Sequence, residues 1–164
     1  MREYKFYDTD PMGLGWEEYD IVGNDYVDLI KTCCLYSKTL FLRISGERIN
    51  GISELERFRI SKGDNITFVP DHYYRMIKCD KYPDEFRYYN ICPELCDLLL
   101  HISNCIFHWI DGWGYHNPED PTFYREDGSV FFTSVIHDGV CTLTPREDEN
   151  VDHIVEKEHW IKTK

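Results

Sequence analysis

Three segments of the chain carry apolar residues at the spacing of an amphipathic helix. The first runs from Asn24 to Cys34, and Asn24 is a residue type that caps helices. The second begins at Pro93, whose missing N–H costs nothing in a first helical turn. The third is predicted from Val151 to about Ile161, with Asn150 as its cap.

Alternating apolar and polar residues predict strands between the first two helices. Thr39–Ser45 places Leu40, Leu42 and Ile44 on one face and Arg43 on the other, which is the period of a β-strand. Runs of strands with few helices are typical of an α+β fold. Further segments with strand character are Leu55–Ser61, Asn65–Val69, Tyr73–Cys79 and Glu85–Ile91.

The clearest topology signal lies between Thr122 and Pro145. Asp127-Gly128 and Asp138-Gly139 each separate runs of β-forming residues, and Asp-Gly supplies the positive-φ residues of a tight hairpin turn. We therefore predict a meander of three strands over residues 122–145, whose middle strand is central. The whole sequence indicates an α+β fold with a mainly antiparallel sheet and two or three helices packed on it. Since no linker or repeat divides residues 1–164, we predict one domain.

Composition and charge reduce the number of function classes that fit this sequence. The 164 residues are 42% apolar, enough for one core, and carry a net charge of −12. Direct binding to nucleic acid or to an anionic membrane is disfavoured, because both need clustered cations. Residues 1–10 contain no apolar run, which predicts no secretion signal, and seven cysteines are an odd number. We expect reduced thiols and a cytoplasmic location.

The negative charge is concentrated in two segments. Residues 6–30 hold seven acids and no Lys or Arg, and residues 111–128 have a net charge of −4, whereas residues 38–81 have +3. Both acidic segments also carry Trp and Tyr on predicted loops, and these residue types anchor interfaces. Such acids can also simply keep a protein soluble. The candidate contacts for a basic partner are Trp16, Glu17, Glu18, Tyr19, Asp111, Trp113, Tyr115, Glu119 and Asp120.

Motifs for catalysis or cofactor binding are weak. The sequence lacks a P-loop, a G-x-S-x-G motif and a His-Glu-x-x-His motif. Zinc ligands could come from Cys92, Cys96, His101, Cys105 and His108, but their spacing fits poorly and core packing is the simpler interpretation. We predict no catalytic residue, no metal and no cofactor.

A Cys/His pair is the alternative that would make the protein an enzyme for a small substrate. Cys141 lies a few residues from His137 across a predicted turn, and His116 lies in the second acidic segment. The alternation around Cys141 instead favours a small core residue of the last strand of the meander.

In overall character the chain resembles the cytosolic immunity proteins that bacteria encode beside contact-dependent or other polymorphic toxins. The resemblance covers residues 6–30, the Asp111–Pro121 loop and the acidic stretch Glu147–Glu158. It implies a protein that blocks a basic toxin domain, such as a nuclease, by placing carboxylates where phosphates would bind. A third hypothesis is a general DNA mimic, whose binding would be promiscuous and dominated by salt.

Overall fold

The computed structural model describes residues 1–9, 18–44, 53–60, 85–107 and 118–164. Within these residues, seven strands form one antiparallel sheet in the order β3-β2-β4-β5-β6-β1-β7. Three helices pack on this sheet, which confirms the predicted α+β class. The strands are β1 (Tyr4–Tyr7), β2 (Thr39–Ile44), β3 (Glu85–Asn90), β4 (Pro118–Tyr124), β5 (Val130–Val135), β6 (Val140–Leu143) and β7 (Trp160–Lys162), and the helices are α1 (Asn24–Tyr36), α2 (Pro93–Ile102) and α3 (Asp152–Val155).

The meander β4-β5-β6 is present as predicted, but its turns differ from the expected type. Gly128 and Gly139 have φ values of +80° and +59°, whereas the preceding aspartates do not have positive φ. Tyr124 pairs with Val130 and Val135 with Val140, so the loops contain five and four residues. The type I′ turn typical of Asp-Gly needs positive φ at both residues, so only the glycine of each pair has the predicted conformation.

Strands β1 and β7 extend the meander on one side. Phe6 of β1 pairs with Cys141 of β6 and with Trp160 of β7. The helix predicted from Val151 to about Ile161 is therefore wrong: α3 is a single turn, and the chain then pairs with β1. Cross-strand hydrogen bonds to a strand at the other end of the sequence outweigh a helical pattern too short to be stable alone.

The other edge of the sheet contains β2 and β3, both predicted from the sequence. Leu55–Phe58 is a 3₁₀ helix and not the predicted strand, because Leu55 and Phe58, three residues apart, both pack against the core. The chain then runs beside β3, where the N–H of Ile60 donates to the carbonyl of Tyr88 at 2.8 Å. The strands predicted at Asn65–Val69 and Tyr73–Cys79 lie outside the described residues.

One hydrophobic core joins the helices to the sheet. Leu29 and Ile30 of α1 and Leu95 and Leu99 of α2 are fully buried, and the Tyr26 hydroxyl donates to the carbonyl of Leu99 at 2.9 Å. Helix α1 begins at Asn24 without a side-chain cap, so the predicted capping role of Asn24 is wrong. Among the described residues, no helix is both long and apolar enough to cross a membrane.

A buried ion pair closes the β4-β5 loop against the chain after β6. Arg125 Nε and Nη2 lie 2.7 and 2.6 Å from the two carboxylate oxygens of Glu149. The remaining guanidinium N–H groups donate to Ser129 Oγ and to the carbonyls of Val130 and Thr144. All five donors of this buried arginine are thus used within the fold.

Candidate functional site

One end of the sheet collects the chain segments that flank the acidic sequences. The ends of β1 and β5 and the beginnings of β4 and β6 lie there. Val140, the first residue of β6, pairs with Tyr7 at the end of β1 and with Val135 at the end of β5. The N–H of Asp8 donates to the carbonyl of Gly139 at 2.8 Å, which joins the ends of β1 and the β5-β6 loop. We call this region the acidic end of the sheet.

The carboxylate of Asp20 ties the first acidic segment to the chain that enters the second. Its Oδ1 accepts the backbone N–H groups of Ile21, Ile106 and Phe107 at 2.7, 3.1 and 3.0 Å. Phe107 immediately precedes residues 108–117, and Glu18 is bridged to Thr9 across residues 10–17. The described residues that flank 10–17 and 108–117 therefore lie close together at the acidic end.

Five of the candidate contacts lie outside the described residues: Trp16, Glu17, Asp111, Trp113 and Tyr115. The other four differ in exposure. Glu18 is exposed, and Tyr19 is half-buried against the core with its N–H donating to the carbonyl of Asp8 at 2.6 Å. These two belong to the surface of the acidic end.

Glu119 and Asp120 point into the fold. Glu119 forms an ion pair with Arg43 at 3.4 Å, and both side chains are largely buried. Asp120 is 1% exposed, and its Oδ1 accepts the N–H of Ile136 at 2.7 Å. Its φ of +55° is one that aspartate tolerates better than most residues. The prediction that Asp120 is a surface contact is therefore wrong, because its carboxylate secures the end of β5.

Cys141 occupies the core position that the alternating pattern predicted. It is fully buried, and burial raises the pKa of its thiol well above the ordinary value, with the nearby carboxylates of Asp20, Asp120 and Asp8 adding to the rise. A nucleophilic cysteine requires the opposite environment, one that stabilises the thiolate. Cys141 is thus unsuited to the Cys/His chemistry considered above, while His116 lies outside the described residues.

The cysteines around α2 also pack as core residues. Cys92 and Cys96 of this region lie against the hydrophobic core, and so does Cys34 of α1. Burial raises the pKa of the Cys34 and Cys96 thiols. Within the described ranges, all six cysteines are free and no group of three or more acidic, His or Cys side chains could hold a metal ion.

Sequence reasoning missed one residue of this surface. His159 stacks on Tyr19, with ring centroids 3.9 Å apart and an interplanar angle of 23°. It lies just before β7, whose pairing with β1 brings the end of the acidic C-terminal stretch, at Glu158, to the acidic end. Because this pairing is not local, the sequence could not show that Tyr19 and His159 are neighbours. The side chain of the adjacent Glu158 is 94% exposed.

A cavity of about 410 Å³ lies at the opposite end of the sheet. Its walls combine Lys38 and Arg146 with Glu126 and Asp127, and Arg146 is paired with Asp127. Balanced and largely paired charges of this kind select neither an anion nor a cation.

No protein-family model matches the sequence, and no characterised protein or solved structure is significantly similar to it. Function is therefore inferred from the chemistry of the acidic end.

Proposed function

We propose that this protein binds and blocks a basic protein partner, and that the partner is a cognate toxin domain such as a nuclease. The protein would act in the cytoplasm as an immunity protein, by covering the partner's active cleft. Its activity is occlusion, and it needs no catalytic group or cofactor of its own.

The observation that carries this proposal is the hydrogen bonding of Asp20. A binding surface built from two acidic segments requires that the segments lie close together. Asp20 belongs to the first segment, and its Oδ1 accepts the N–H groups of Ile106 and Phe107, which come shortly before the second segment. The described residues next to the two segments therefore lie close together. The described residues on either side of 10–17, Thr9 and Glu18, are bridged to each other and lie at this end of the sheet.

The chemistry fits a cationic cleft that normally holds phosphates. Carboxylates form strong, charge-assisted hydrogen bonds with the Arg and Lys side chains of such a cleft. A net charge of −12 speeds encounter with a basic partner, and Trp or Tyr side chains slow its dissociation once they are desolvated. Exposed Glu18 beside Tyr19 supplies both residue types at one point of the surface.

The test is a pull-down from the native source, or with the protein encoded next to this one, using the full chain as bait at low salt. Bound proteins are eluted with a salt gradient and assayed for nuclease activity with and without the bait. We expect one stoichiometric basic protein that survives moderate salt and loses its activity in the complex. An empty bait would contradict the proposal.

A general DNA mimic would behave differently in the same experiment. Several unrelated basic proteins would bind and would be lost together at low salt, because their binding would depend on charge alone. That result would replace the dedicated inhibitor with a promiscuous one.

A further inference from the structure

The C-terminal turn Glu156–His159 places a second acidic and aromatic element beside the first. The His159 ring stacks on Tyr19 and also contacts Phe6 edge-on, with 6.0 Å between the latter ring centroids. The His159 side chain is still 39% exposed. An exposed ring is thus held in a fixed orientation next to the first acidic segment.

The charge around this aromatic pair is negative. Glu18 precedes Tyr19, Glu158 precedes His159, and both are exposed. Lys157 is the one base between residues 147 and 161, and its Nζ lies 2.7 Å from Asp25 and 2.8 Å from Asp28 of α1. Those two carboxylates of α1 thus neutralise the charge of Lys157.

We propose that the Tyr19–His159 pair and its flanking glutamates bind an arginine side chain of the partner. A guanidinium group stacks on an aromatic face and pairs with a carboxylate in the same plane, whereas a lysine ammonium is a compact point charge without a stacking face. This inference rests on the proposed function and adds the C-terminal turn to its surface. It names arginine as the residue type recognised there.

Two substitutions at exposed positions change this element. His159 has a φ of +74°, a value that glycine adopts without strain, so His159→Gly removes the ring and keeps the backbone. Glu158→Lys reverses a charge on a side chain that is 94% exposed. The matched control is Glu126→Lys, which makes the same charge change at an exposed position at the opposite end of the sheet.

The probes are acetylated, amidated hexa-arginine and hexa-lysine peptides, titrated by NMR against the full chain at low salt. We expect the arginine peptide to bind more tightly and to shift the His159 and Tyr19 ring resonances. His159→Gly should weaken its binding about three- to five-fold and abolish the preference for arginine over lysine. Glu158→Lys should weaken it more than Glu126→Lys.

Three results would overturn the inference: equal binding of the two peptides by the wild type, no loss in His159→Gly, or equal losses in Glu158→Lys and Glu126→Lys. The proposed function fails separately, when the pull-down captures no basic protein. The peptide titration does not depend on that capture, so the two failures are distinguishable.

Discussion

Oδ1 of Asp20 lies 3.0 Å from the backbone nitrogen of Phe107, a residue 87 positions further along the chain. The same oxygen accepts the N–H of buried Ile106, so two buried donors depend on one carboxylate. We expect Asp20→Ala to lower the free energy of unfolding by about 2–4 kcal/mol, because these donors lose their acceptor. Urea denaturation measures the change.

Asp20→Asn is the matched variant, since its amide oxygen can still accept these hydrogen bonds. It should retain much of the stability that Asp20→Ala loses. Asp97→Ala, at an exposed position of α2, should change stability by less than about 0.5 kcal/mol. Equal stability of Asp20→Ala and Asp97→Ala would show that Asp20 does not hold the two segments.

Gly139 is required both by its backbone conformation and by its neighbour. Its φ is +59°, and a Cβ there would overlap the carboxylate of Asp8. With a ψ of +36°, Gly139 is in the left-handed region, which costs a residue with a side chain about 1–2 kcal/mol. We expect Gly139→Ala to destabilise the protein by this amount and by roughly 1–3 kcal/mol more, because the Asp8 side chain must also move.

An Asp8→Ala background, measured by denaturation, separates the cost of the backbone conformation from the cost of the Asp8 contact. In that background, Gly139→Ala should cost only the about 1–2 kcal/mol of the left-handed backbone. An unchanged cost in that background would exclude the Asp8 contact as the cause.

The buried pair of Arg125 and Glu149 predicts a loss of stability in acid. Burial alone would raise the pKa of Glu149, but hydrogen bonds from Arg125 and from the N–H of Arg146 outweigh it, and the pKa lies below the ordinary glutamate value. The native state therefore holds this proton less tightly than the unfolded chain. The stabilisation by the Glu149 carboxylate is complete at pH values above the pKa of Glu149 in the unfolded chain. It is lost as the pH falls through the lower pKa of Glu149 in the folded protein.

Glu149→Gln should remove that part of the pH dependence. It should also destabilise the protein at neutral pH by about 3–5 kcal/mol, because Arg125 stays buried without its counter-charge. Unfolding measured between pH 7 and pH 3 in both proteins tests this. Parallel stability curves for the two proteins would contradict the assignment.

Cys33 and Cys141 should resist alkylation in the folded protein. Both are fully buried, and burial raises the pKa of both thiols well above the ordinary value. Mass spectrometry after brief treatment with iodoacetamide at neutral pH should find these two cysteines unlabelled until denaturant is added. Rapid labelling of Cys141 would revive the Cys/His hypothesis.

The sequence predicted those parts of the fold that local contacts determine. The meander, α1, α2 and β3 follow from apolar spacing, from glycine in the turns and from Pro93 at a helix start. The prediction from sequence failed where a strand pairs with a segment that is distant in the chain. β1 and β7 pair across the two ends of the chain, and this pairing replaced the helix predicted after Val151.

In the candidate site, too, local patterns were predictable and contacts between distant segments were not. Clustered acids and aromatics predicted Glu18 and Tyr19, which lie at the surface of the acidic end. The sequence could not show that Asp120 accepts the backbone N–H of Ile136, or that His159 stacks on Tyr19, because neither contact is local in the chain.

The most direct test of the acidic end measures binding kinetics of the captured partner over a range of salt concentrations. The variants are Glu17→Lys with Glu18→Lys, then Trp113→Ala, with Glu126→Lys as the control. We expect the charge reversal to slow association and to weaken its salt dependence, and Trp113→Ala to speed dissociation, while the control changes little. Unchanged kinetics in both test variants, or an equal effect of Glu126→Lys, would contradict binding through the acidic end.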